Sequence, residues 1–269
     1  MIKLWKRLDL LLDEIAKRRH LLLVIDFDGT LSEIVPTLGQ ANLSPARLNI
    51  LNKLSTGPMR VAILSGRAAG DLKRRIKMDK IIYCGNYGME MQGPGIKYLQ
   101  PRMAAFREML KVFEDKHASL FRQIPGVLVE GKGLGVALHY RNVKKEHLPG
   151  FRTRWARFRR GGGLSGFNWF KGNCAWEVIP DVPWDKGKAT EHLWSALGKP
   201  FTLAIGNDHT DEPMFKAVKG KGMAIRVGYK THSHASYWLN GESDVYRFLE
   251  VLVKLLEKQP QNHYRKHKK

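Results

Sequence analysis

Five short apolar runs, at 21–25, 60–64, 81–84, 202–205 and 223–227, alternate with segments of helical period in a chain of 269 residues. Each run is rich in Val, Ile or Leu and stops at small or polar residues. A strand wetted on one face alternates apolar with polar side chains. An unbroken apolar strand is buried on both faces, as central parallel strands are beneath flanking helices. Helical patterns at 45–54, 70–76, 187–197 and 212–218 provide those covers. The expectation is an α/β fold, a parallel sheet with helices on both sides. Leu4, Leu8, Leu11, Leu12 and Ile15 add an amphipathic helix ahead of the first strand.

The rhythm breaks in the middle of the chain. Phe106, Met109, Leu110 and Phe113 make a helical stripe. Residues 127–130 and 135–140 then alternate like strands joined through the turn "EGKGLG". A second helix is predicted over 151–160, followed by Gly161-Gly162-Gly163 and by strands ending at 175–179. This pattern predicts an α+β domain at 98–181, inserted between core halves at 1–97 and 182–269.

Charge narrows the partners. Lys and Arg number 46 against 25 Asp and Glu, a formal charge of +21. Between Lys97 and Asp181 there are 16 basic and 7 acidic residues, so the insert is basic in its own right. Phosphorylated or polyanionic partners are the default for such a chain. The segment 151–160 interleaves five arginines with aromatics, a composition found in nucleic-acid binders. Its spacing argues otherwise: Phe151, Trp155 and Phe158 fall on one helix face, which predicts a buried stripe and a solvated arginine face. No specific nucleic acid is expected. Two isolated cysteines, Cys84 and Cys174, suit a reducing cytoplasm and form no metal site. No apolar run approaches the roughly 20 residues of a membrane span. The N-terminal stretch is broken by charges, unlike a secretory signal. The oligomeric state is left open, with a monomer as the working expectation.

Four strand ends carry chemistry, in order. Asp26-Phe27-Asp28-Gly29-Thr30 follows the first strand, with both acids on one side of the chain as it leaves the sheet. Ser65-Gly66-Arg67 ends the second and is read as opening a helix, where a hydroxyl and backbone N–H groups make an anion site. Lys186-Gly187 precedes another helix, with Lys188 as a competing candidate. Gly206-Asn207-Asp208-His209-Thr210-Asp211-Glu212 adds an acidic cluster after the fourth strand. Open parallel sheets bind ligands at the carboxyl ends of their strands. A hard divalent cation takes oxygen ligands, which Asp26, Asp28 and Asp208 can supply. Ser65 and Lys186 can hold phosphate oxygens.

These motifs resemble those of the haloacid-dehalogenase (HAD) superfamily of phosphatases: "DFDGT", "SGR", "KG" and "GNDHTDE". Further stretches, among them "DFDGTLSEIVPTLGQANLSP", "GNYGME", "VEGKGLGVALHYR" and "CAWEVIPDVPWDKGKA", resemble trehalose-6-phosphate phosphatases. The resemblance implies a Rossmannoid core with an inserted α/β cap, Mg²⁺ as cofactor and a small sugar phosphate as substrate. It implies Asp26 as nucleophile and metal ligand, Asp28 as general acid/base and a ligand through its carbonyl, and Asp208 as the third ligand supported by Asp211. Ser65 and Lys186 complete the catalytic set. Thr30, Gly66, Arg67, Glu130, Lys132 and Glu177 are the implied substrate contacts, with His139 and Glu90 as weaker candidates. Tyr87 stands where the family usually has His, and Asn207 where it often has an acid. Sucrose 6-phosphate and glycosyl-phosphoglycerates are the rival substrates, and polyanion binding is the rival from another class.

Overall fold

A computed structural model describes residues 1–35, 41–131, 133–172 and 174–258. In chain order its elements begin with β1 (Ile2–Lys3), α1 (Leu8–Ala16), β2 (Leu21–Ile25), α2 (Pro45–Thr56), β3 (Met59–Leu64), α3 (Ala69–Ile76), β4 (Ile81–Gly85), β5 (Glu90–Gly93) and β6 (Ile96–Leu99). Next come α4 (Met103–Phe113), α5 (Ser119–Arg122), β7 (Leu128–Gly131), β8 (Val136–His139), α6 (Leu148–Arg160), β9 (Phe167–Gly172) and β10 (Ala175–Pro180). The chain continues with α7 (Lys186–Ala196), β11 (Phe201–Gly206), α8 (Glu212–Ala217), β12 (Gly222–Val227), β13 (Tyr237–Leu239) and α9 (Glu242–Glu257). Among the described residues the strands form a nine-stranded sheet, β1-β13-β12-β11-β2-β3-β4-β5-β6, and a four-stranded sheet, β7-β8-β10-β9.

The chain divides into two compact units. One comprises Met1–Ser65, Ala69–Tyr98 and the stretch from Trp184 onward; the other comprises Gly66–Ala68 and Leu99–Pro183. In the first unit the five expected apolar runs are adjacent parallel strands, from β12 through β4. Alternate residues of β2 serve two separate cores. Leu21, Leu23 and Ile25 face a cluster with α1, α2, α3 and α9, while Leu22 and Val24 face one with α7 and α8. That double burial is why the run carries no polar residue. The expected N-terminal helix is shorter at its start, because Leu4–Arg7 form a 3₁₀ turn ahead of α1. Pro45 follows Ser44, whose hydroxyl accepts a hydrogen bond from the Arg47 N–H at 3.3 Å and starts α2.

The order of the strands locates the ligand crevice. From β2 the chain builds outward through β3 and β4, then returns to β11 on the other side of β2. The sheet therefore reverses direction between β2 and β11, and the carboxyl ends of these two strands flank the crevice. Register keeps the ends level: Ile25 pairs with both Ile205 and Ile63, and the Asp26 N–H donates to the Ile205 carbonyl at 2.9 Å.

The second unit lays its antiparallel sheet against an aromatic core. Trp155 of α6 stacks on Trp176 of β10 at 5.0 Å between centroids and meets Trp169 of β9 edge-on at 4.4 Å. Phe158 packs edge-on against Phe113 at 5.4 Å. Phe151 and Trp155 are buried and Phe158 half-buried, while Arg152, Arg154, Arg157, Arg159 and Arg160 are all exposed. No helix among the described residues is long and apolar enough to cross a membrane.

Candidate active site

Asp26 leaves β2 at the reversal point with only 5% of its surface exposed. Its carboxylate is held from across the sheet. Lys186 Nζ donates to Asp26 Oδ1 at 2.7 Å and to Asp211 Oδ1 at 2.6 Å. The lysine is the first residue of α7, whose N-cap Asp185 accepts the Lys188 N–H at 2.8 Å. Lys186 is buried and Lys188 exposed, so the ammonium at the site belongs to Lys186. Its position at a helix start, unfavourable for a cation, is offset by two carboxylates.

Asp211 does a second task with its other oxygen. Oδ2 accepts the backbone N–H groups of Asn207 at 2.8 Å and Asp208 at 2.9 Å. The Asp208 carboxylate in turn caps the turn His209–Asp211, accepting the His209 N–H at 2.6 Å. The acidic stretch is thus a capped turn and a contributor to the site at once. Gly29 fits the first loop against this one. It adopts φ +77°, and a Cβ there would fall 2.2 Å from the Asn207 side-chain nitrogen. Thr30 Oγ1 lies 3.4 Å from Asp26 Oδ2 and 3.4 Å from Asn207 Oδ1. Asp28 is half-buried on the same loop, where it bridges to Ser32.

Electrostatics follow from burial. Loss of water pushes the Asp26 carboxyl up to about 7, against the pull of Lys186 and with the push of Asp211 and Asp28. Desolvation alone lowers Lys186, but the two carboxylates outweigh it and leave the ammonium more basic than usual. At Asp208 burial raises the carboxyl, yet the His209 amide and ring overcome that and hold it below its ordinary value. Two buried carboxylates share one ammonium, and Asp28 and Asp208 lie on the adjoining loops. The cluster is short of positive charge and its donors are oxygens, which fits a hard divalent cation. Among the described residues no three His, Cys, Asp or Glu side chains form a ligand group. The expected set differs in kind, with two carboxylates and one backbone carbonyl.

Ser65 follows β3 with its N–H on the Cys84 carbonyl at 3.0 Å, and its own carbonyl accepts the Tyr87 N–H at 2.8 Å. One expectation is corrected here. Ser65-Gly66-Arg67 does not open the following helix, because α3 starts at Ala69, whose N–H donates to Glu90 Oε1 at 2.6 Å. Glu90 also accepts from the Asn86 amide at 2.8 Å, a structural contact. Asn86 and Tyr87, both with positive φ, make the turn between them.

Gly66 and Arg67 belong to the second unit. On its sheet Glu130 and Glu177 both pair with Ala137, so the two carboxylates occupy one cross-strand row on one face. His139 Nε2 lies 2.8 Å from Glu130 Oε2. Lys132 lies outside the described residues. Arg226 was not anticipated. It is 7% exposed near the end of β12, and its guanidinium donates to the Asp208 carbonyl at 3.2 Å, the Asn207 carbonyl at 2.5 Å and Glu212 Oε1 at 2.9 Å. Glu212 Oε2 is itself held by the His234 N–H at 2.7 Å. The one sequence signal was a charge inside an otherwise apolar strand, "GMAIRV".

The trehalose-phosphatase family matches residues 24–243. A trehalose-phosphate phosphatase of Mycobacterium marinum is 37% identical over 210 residues, 75% of this chain and 52% of that protein. An uncharacterized glycosyl hydrolase of Mycobacterium tuberculosis is 33% identical over 241 residues, 85% of this chain. The chain spans only 18% of that relative's length and about half of the former's. The crystal structure of a trehalose-6-phosphate phosphatase related protein superposes with a TM-score of 0.74 at 22% identity, covering 88% of this chain and all of that one. This last likeness shows the fold.

Proposed function

The chain belongs to the trehalose-phosphatase family, and from that premise we propose that it hydrolyses trehalose 6-phosphate to trehalose and phosphate through an aspartyl phosphate on Asp26. The observation that carries this reading is the buried Asp26 carboxylate, oriented by Lys186 at the sheet's reversal point. In the first step an Asp26 oxygen attacks phosphorus, the bond from phosphorus to the sugar oxygen breaks, and Asp28 gives its proton to that oxygen. In the second, Asp28 takes a proton from water, the water oxygen bonds to phosphorus, and the acyl-phosphate bond breaks to restore the carboxylate. Splitting one hard displacement into two lowers each barrier. Lys186 and Ser65 hold the equatorial oxygens, on which charge accumulates. The Asp26 and Asp208 carboxylates and the Asp28 carbonyl would hold a magnesium ion, which when bound offsets repulsion between the carboxylate and the phosphoryl group.

The second unit is proposed as the cap that reads the sugar. Glu130 and Glu177, on one sheet face, suit hydroxyls of an uncharged disaccharide, with Lys132, Gly66, Arg67 and Thr30 completing the contacts. A cytoplasmic location is supported by the two unpaired cysteines. The test is Mg²⁺-dependent phosphate release over a panel of trehalose 6-phosphate, sucrose 6-phosphate and glycosyl-phosphoglycerates. The expected result is the highest kcat/KM on trehalose 6-phosphate. A flat response would reduce the reading to a general phosphatase.

A further inference from the structure

We propose that the second unit contains a separate site for a single-chain amphipathic carboxylate, such as a fatty acyl anion, between α4, α5 and α6. A cavity of about 690 Å³ lies wholly within this unit. Ligand sites of small molecules run from about 300 to 1,000 Å³. Its walls are Met109, Val112, Phe113, Leu120, Phe121 and Phe158. Val112 and Leu120 are 41% and 46% exposed, so apolar surface continues into solvent rather than closing as core.

The lining also carries the opposite of a neutral rim. Arg154 and Arg157, three residues apart on α6, lie on one helix face, and His117 also lines the cavity. One acid, Glu108, is in the lining. Neither arginine is paired with an acid among the described residues, and Arg154 donates to the backbone carbonyl of Leu120. Along α6, Arg152, Arg159 and Arg160 add further exposed charge and no acid intervenes. An apolar cavity under a guanidinium pair selects a ligand with an apolar body and one planar anionic head, because the arginine fork matches a carboxylate. An independent sign is local geometry. Between α4 and α5 the helix widens into a π turn at Glu114–Ala118, and His117 of that turn is in the lining. Such insertions concentrate at functional sites. The arginine-aromatic segment and its triple glycine, which the phosphatase reading leaves without a task, form the other wall.

Isothermal titration of the full chain with monomeric dodecanoate tests the site, with dodecanol and acetate as the two halves of the ligand. Saturable one-to-one binding of dodecanoate is expected, with weaker binding of dodecanol and none of acetate. Val112→Trp, which blocks the cavity with a bulky ring, should abolish binding of both chains. Arg154→Gln with Arg157→Gln should weaken dodecanoate about tenfold, the loss expected with a charge-assisted hydrogen bond, and leave dodecanol unchanged. Both changes are at exposed helix positions; should Val112→Trp fail to fold, the arginine pair decides. Absence of saturable dodecanoate binding overturns the proposal, as does unchanged affinity in a folded variant. Association with phosphatidylglycerol vesicles but not with monomeric dodecanoate also overturns it, and assigns the surface to a membrane.

Discussion

Lys186 Nζ stands 2.7 Å from Asp26 Oδ1, joining two residues 160 positions apart in a contact almost closed to water. The same ammonium holds Asp211, which in turn fixes the Asn207 and Asp208 amides. One lysine therefore ties the first loop of the site to the last, and its removal strands two buried carboxylates. Breaking a buried pair from one side costs about 3–5 kcal/mol. Lys186→Met should lower unfolding stability by that order in urea titrations, together with a severe loss of kcat. A variant with wild-type stability would show that the ammonium does not neutralise the pair.

The raised carboxyl of Asp26 makes a pH prediction with a definite sign. Its folded-state value, about 7, exceeds the ordinary 3.8, so the stability this group gives the metal-free protein is present in acid and is lost as pH rises through about 7. Mg²⁺ binds the ionised form and competes with the proton. The rise in melting temperature on adding Mg²⁺ should be larger at pH 8 than at pH 6. Equal rises at both would remove Asp26 from the metal's ligands.

Arg226 should act by position. Its guanidinium holds the carbonyls of Asn207 and Asp208 and never needs to meet substrate. Arg226→Met is expected to weaken Mg²⁺ binding in calorimetry and to lower kcat, with partial rescue by Arg226→Lys. If Mg²⁺ affinity is untouched while stability drops, the residue is only a strut.

Glu130 is proposed to serve sugar reading and not phosphoryl chemistry, which a substitution can separate. Glu130→Gln should raise KM for trehalose 6-phosphate about tenfold, the scale of one charge-assisted hydrogen bond, and leave turnover of p-nitrophenyl phosphate unchanged. Equal losses on both substrates would place it in the fold rather than in recognition. The His139 ring, 2.8 Å away, is positioned to orient it.

The central strands were legible because burial on both faces leaves few polar residues in them, and the residues proposed for the chemistry sit where those runs stop. Less could be read where short elements lean on neighbours. β1 is two residues, Ile2–Lys3, and exists by pairing with Tyr237 and Trp238 of β13. β5 and β6, Glu90–Gly93 and Ile96–Leu99, are four residues each, too short for a period to announce them. The α9 stripe, Val245, Phe248, Leu249, Leu252 and Val253, was present in the sequence, but no motif drew attention to it. Within the site, Asp26, Lys186 and Asp211 were foreseen; the capping of α3 by Glu90 and the grip of Arg226 were not. Both join residues from different elements, and neither leaves a local spacing to read.

Asp26 is the proposed nucleophile, and the direct measurement is its phosphorylation. Enzyme mixed with trehalose 6-phosphate and Mg²⁺, quenched in acid within one turnover and digested, should carry phosphate on the peptide holding Asp26, and Asp26→Asn should carry none while keeping its fold. Phosphate found on another residue, or full turnover with no phosphorylated peptide at any time, would contradict it.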